Sequence, residues 1–68
     1  MITILHREPD DRLILVRVDE EFPSVVRPRL YPGYYIRGWG KRWYQWTDGG
    51  VRRIKWAEQV KMLEDELD

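Results

Sequence analysis

Residues 31–46 read YPGYYIRGWGKRWYQW, and the fold turns on how this run divides. It carries Tyr31, Tyr34, Tyr35, Trp39, Trp43, Tyr44 and Trp46, leaving only Phe22 and Trp56 as aromatics elsewhere. Gly38-Trp39-Gly40-Lys41 supplies glycines that accept positive φ, so Tyr34 to Arg37 and Arg42 to Trp46 are expected to pair as a β-hairpin around it. Strand alternation puts Tyr34 with Ile36, and Tyr35 with Arg37 on the opposite face. In the second strand Arg42, Tyr44 and Trp46 share a face, and Trp43 and Gln45 share the other. Taking Ile36 as the residue with least reason to face water, the expected core set is Trp43, Ile36 and Tyr34. Tyr35, Arg37, Arg42 and Tyr44 are then expected outside, Trp46 is left open between core and solvent, and Trp39 at the tip is the hardest ring to bury.

Toward the N-terminus, Pro23, Pro28 and Pro32 punctuate residues 22–33. Proline cannot donate to a ladder, which makes this segment an edge strand at most, with brief pairing at Val25 and Val26, and otherwise an extended connector. Leu13 to Val18 (LILVRV) is the clearest strand. Ile14, Val16 and Val18 form one stripe and Leu13 and Leu15 the other, the pattern of a central strand covered on both faces. Pro9-Asp10-Asp11 is turn chemistry, and Met1 to Leu5 suits a first strand.

Toward the C-terminus, Thr47-Asp48-Gly49-Gly50 is a second strong turn. A single helix over residues 51–67 would set Val51 about 180° from Val60, so Val51 to Lys55 reads better as a strand. From Trp56 the register is clean: Trp56, Val60, Leu63 and Leu67 fall on one helical stripe expected to pack on the sheet. No capping side chain precedes Trp56, and Glu64, Asp65, Glu66 and Asp68 crowd the end of the helix where negative charge is unfavourable. Strands first and helix last give an α+β fold. The expectation is one domain over residues 1–68: a twisted antiparallel sheet or partly open barrel of four to five strands, with one C-terminal helix packed on it.

At 68 residues the chain lies near the lower size limit for folding without staples, and it has no cysteine to provide them. Large rings compensate, since each can bury roughly 150–250 Å². The missing cysteines, the absence of a signal-peptide pattern and the lack of a long apolar run point to a soluble cytoplasmic protein with no membrane partner. Twelve basic and twelve acidic residues cancel, but unevenly. Residues 25–56 carry eight bases (Arg27, Arg29, Arg37, Lys41, Arg42, Arg52, Arg53, Lys55) against Asp48 alone, while both ends are acidic.

Ser24 and His6 are the only serine and histidine, and neither sits in a nucleophile motif. The acidic pairs lack calcium-loop spacing, and no phosphate-binding glycine motif occurs. The chain is therefore read as non-enzymatic, without catalytic residues, metal or cofactor. Interleaved rings and cations instead suggest a contact surface, assigned to Tyr35, Arg37, Trp39, Lys41, Arg42, Tyr44, Arg52 and Arg53. Trp, Tyr and Arg dominate protein interfaces, so a protein partner leads. The same residues suit phosphate and base contacts, so nucleic acid is the alternative. An uncovered aromatic face could also pair with itself as a homodimer. Small size without an enzyme signature suits a phage or mobile-element accessory protein that binds or inhibits a cellular factor.

Overall fold

The structure, a computed structural model, describes residues 1–19 and 30–67. The expectations for Phe22, Val25 and Val26 lie outside the described residues, as do those for Ser24, Arg27 and Arg29.

Five strands, β1 (Ile2–Arg7), β2 (Ile14–Val18), β3 (Gly33–Arg37), β4 (Trp43–Thr47) and β5 (Gly50–Arg53), precede one helix, α1 (Ala57–Asp65). The sheet is an open antiparallel meander in the order β1-β2-β3-β4-β5, and the helix follows it, which makes the domain α+β as its sequence implies. Each expected turn is present. Pro9–Asp11 and Trp39–Lys41 form single 3-10 turns, and Thr47 pairs with Gly50 across a two-residue Asp48-Gly49 connection. Gly40 and Lys41 both take positive φ, 75° and 58°, to turn the chain from β3 into β4.

β2 sets the inside of the molecule. Its stripe of Ile14, Val16 and Val18 is 0–1% exposed, and antiparallel register carries that face across the sheet. Val16 lies opposite Tyr35 and Ile14 opposite Arg37. Arg37 lies opposite Trp43, and Tyr35 opposite Gln45. Helix α1 covers this face through Leu63, with Leu67 beyond the helix end, and Val60 and Met62 pack at the margin. Leu30, next to the proline-rich connector, is fully buried in the same core, and the Tyr35 hydroxyl donates to the Tyr31 carbonyl at 2.7 Å.

This register reverses the faces expected for β3, while β4 keeps Trp43 inside and Arg42 and Tyr44 on the other side as expected. Tyr35 and Arg37 lie inside with Trp43, whereas Tyr34 and Ile36 lie on the other side of the sheet. Five residues separate the strand ends, so Arg37 pairs with Trp43 rather than being offset by one. A one-residue offset exchanges every side chain between faces. Nor is β2 covered twice among the described residues: Leu15, on its second face, is only half-buried. Trp56 also leaves the expected stripe. It is the residue before the helix, with extended ψ of 124°, and is 59% exposed.

Candidate functional site: an open sheet face and a basic groove

The sheet face away from α1 carries two cross-strand rows. One runs Arg17, Tyr34, Trp46, Val51 across β2 to β5, and the next runs His6, Leu15, Ile36, Tyr44, Arg53 across β1 to β5. Leu15, Ile36 and Tyr44 are half-buried, while Tyr34, Trp46 and Val51 are exposed at 46%, 59% and 61%. The rows therefore form an apolar centre with cations at its margins. Arg17 is already engaged, its Nε 2.6 Å from Asp19. His6 lies 3.5 Å from Glu8.

A second feature lies where the start of β4 and the end of β5 meet the first turn of α1. Lys41, Arg42, Arg53 and Lys55 line an open groove of about 390 Å³, with Trp43, Ile54 and Val60 forming its apolar wall. Among the described residues none of these four cations forms an ion pair. The Arg42 guanidinium lies back over Gly40, with Nε 3.8 Å from the position a Cβ there would occupy. Trp39 and Trp56, each one residue from the lining, are 83% and 59% exposed.

On the covered face the polar groups are structural. Glu64 Oε1 accepts a hydrogen bond from Trp43 Nε1 at 2.9 Å and stands 3.4 Å from Arg37 Nε. The second contact lacks hydrogen-bond geometry, so that buried N–H remains without an acceptor. Arg52 donates to Gln45 Oε1 at 2.9 Å. Burial pushes the Tyr35 phenol up to about 12. At the strand end that also carries the Trp39–Lys41 turn, Arg7 grips Asp11 with two hydrogen bonds of 2.7 and 3.1 Å, which hold that carboxyl below its ordinary value, with Arg37 and Lys41 adding to the effect.

Of the eight residues assigned to a contact surface, Trp39, Lys41, Arg42 and Arg53 are exposed around the groove, and Tyr44 lies half-buried in the open face. Arg52 is exposed but turned toward Gln45. Tyr35 and Arg37 are interior and supply no surface. Tyr34 and Val51 were not among the eight, and Trp46, left open between core and solvent, lies outside. Once Trp43 is placed inside, alternation alone moves Trp46 outside.

The fold and these two surfaces define a small α+β domain with one sheet face uncovered among the described residues. Comparison with protein-family models, curated proteins and solved structures gives no match. No helix among the described residues is long and apolar enough to cross a membrane.

Proposed function

We propose that the chain is a non-enzymatic binding module whose open sheet face docks a protein partner. The observation that carries this reading is the pairing of Tyr34 with Trp46, two exposed rings directly opposite each other on a face that α1 leaves bare. Exposed rings grouped on one face, with half-buried Leu15 and Ile36 between strands, favour desolvation by a complementary surface. The partner's patch is apolar at its centre and acidic where it meets Arg53. Nucleic acid suits this face less well. Its two rows hold only Arg17 and Arg53 as permanent cations, and Arg17 is neutralised by Asp19. The absence of cysteine fits a reducing, cytoplasmic setting and an accessory role in which the module binds or inhibits a cellular factor.

Affinity capture followed by binding to the purified candidate tests the proposal. Trp46→Ala should weaken the interaction at least tenfold, as expected for a central aromatic anchor, while Lys41→Gly leaves it unchanged. Equal affinity of wild type and Trp46→Ala would show that the open face is not the contact. A concentration series by sizing and light scattering separates the remaining occupant: a dimer dispersed by Trp46→Ala would assign the face to a second copy instead.

A further inference from the structure

Beside the open face lies a cluster of four cations that form no ion pair among the described residues, of which only Arg53 is shared with that face. Lys41 and Arg42 from the hairpin turn, Arg53 from the end of β5 and Lys55 from the approach to α1 converge on one groove. Helix α1 adds to the same potential. It starts beside Lys55 without a side-chain cap, so its first N–H groups and the positive end of its dipole lie at this end of the domain. Glu58 in the first turn offsets part of that field.

Lys41 also holds a left-handed backbone, φ 58°, which glycine or asparagine adopts more cheaply. A long cation therefore occupies a position where the turn alone favours a different residue. Trp39 and Trp56 are exposed and adjoin groove-lining residues in sequence; Trp39 also lines a neighbouring hollow with Asp10, Asp11 and Lys41. Rings left in water beside a cationic track satisfy both requirements for unpaired nucleotides: charge neutralisation of the phosphates and flat surfaces for the bases.

We infer that this groove binds single-stranded nucleic acid, with Lys41, Arg42, Arg53 and Lys55 on the phosphodiester backbone and Trp39 and Trp56 stacking on bases. Single strands are specified because a duplex keeps its base faces stacked and would leave both rings idle. The groove shares Arg53 with the open face, but its other cations and both proposed stacking rings lie outside the two open-face rows, and Tyr34 and Trp46 are not part of the groove.

Fluorescence anisotropy of the full chain with a labelled oligothymidylate of about 15 nucleotides tests it. Binding should weaken with salt at a log–log slope of about −3, as four phosphate contacts on a single strand require. Tryptophan emission should fall on binding, and Trp39→Ala should cost roughly tenfold in affinity. Lys41→Gly relaxes the turn backbone, so its expected loss of affinity cannot be charged to misfolding. A Lys41→Gly/Arg42→Ala/Lys55→Ala variant with an unchanged circular dichroism spectrum should bind at least about thirtyfold more weakly. Trp46→Ala should bind as wild type. No binding at about 20 mM salt, full binding by the triple variant, or a preference for the duplex would each overturn the inference. So would equal affinity for an abasic oligonucleotide without a change in tryptophan emission, since the groove would then read phosphate alone.

Discussion

Trp43 Nε1 donates a 2.9 Å hydrogen bond to Glu64, joining the centre of the sheet to the last turn of the helix. The carboxylate accepting it also faces Arg37 at 3.4 Å, so one side chain near the surface accepts a hydrogen bond from one strand and balances a buried charge on its neighbour. Its position in the last turn opposes the helix dipole, and the Arg37 charge offsets that opposition. Lys61 does the same for Asp65 at 3.1 Å, on the solvent side.

Glu64→Ala is expected to cost about 3 kcal/mol, because it leaves a buried guanidinium and an indole N–H uncompensated together. Arg37→Met should cost much less, since it removes the buried charge along with its partner's task. Urea denaturation of the two variants checks this ranking. A loss below about 1 kcal/mol for Glu64→Ala would show that water already satisfies both donors.

Tyr35 gives the fold an alkaline limit. Its phenol ionises at about 12 when folded and near 10 when unfolded, so the neutral form is the one the core favours. The unfolded chain releases that proton first, and stability from this group is complete below pH 10 and lost as pH rises toward 12. The loss is on the order of 2 kcal/mol by the ordinary conversion of pKa to free energy. Urea midpoints of wild type and Tyr35→Phe should diverge with pH across this window, with Tyr35→Phe the flatter, and parallel curves would contradict the assignment.

Leu30 is fully buried although it stands beside the proline-rich connector. Leu30→Ala should remove about 3 kcal/mol through lost burial and the cavity left behind. A domain of this size holds only roughly 3–5 kcal/mol, so the variant should be substantially unfolded at room temperature. Circular dichroism decides it; a native spectrum with an unchanged thermal midpoint would mean that Leu30 contributes no core contact.

Lys41→Gly should stabilise the domain by up to about 1 kcal/mol, because relief of the left-handed backbone outweighs the added freedom of the unfolded chain. Thermal denaturation measures this directly. A stabilised variant that no longer binds oligonucleotide would show a residue kept for contact against the preference of its turn.

Element types were legible because they rest on local chemistry. The Leu13–Val18 alternation, the turn at Asp48-Gly49 and the stripe through Val60 and Leu63 each survive without knowledge of the rest of the chain. Facing was harder. For the hairpin it depends on whether five or six residues separate the paired ends, and Ile36 gave a reasonable but misleading cue. Burying Arg37 and Gln45 while exposing Trp46 contradicts hydropathy at three positions. It becomes sensible only once Glu64 and Arg52 are seen to supply their partners. Those partners come from α1 and β5, and no periodicity within the hairpin announces them. Trp56 failed for a different reason. The helical stripe was extended one residue past the true start, where extended backbone turns the ring into water.

The margins of the sheet also govern how copies of this molecule can meet. At one margin β1 slips register between Ile4 and His6, and at the other β5 is four residues long with Arg52 and Arg53 at its end. A kinked ladder and a short, charged one are both poor templates for adding strands, so open-ended stacking into fibres is blocked at both sides. What remains is broadside contact through the bare face. The docking proposed for that face would therefore close after a single partner, because a broadside contact leaves no second bare face to extend it.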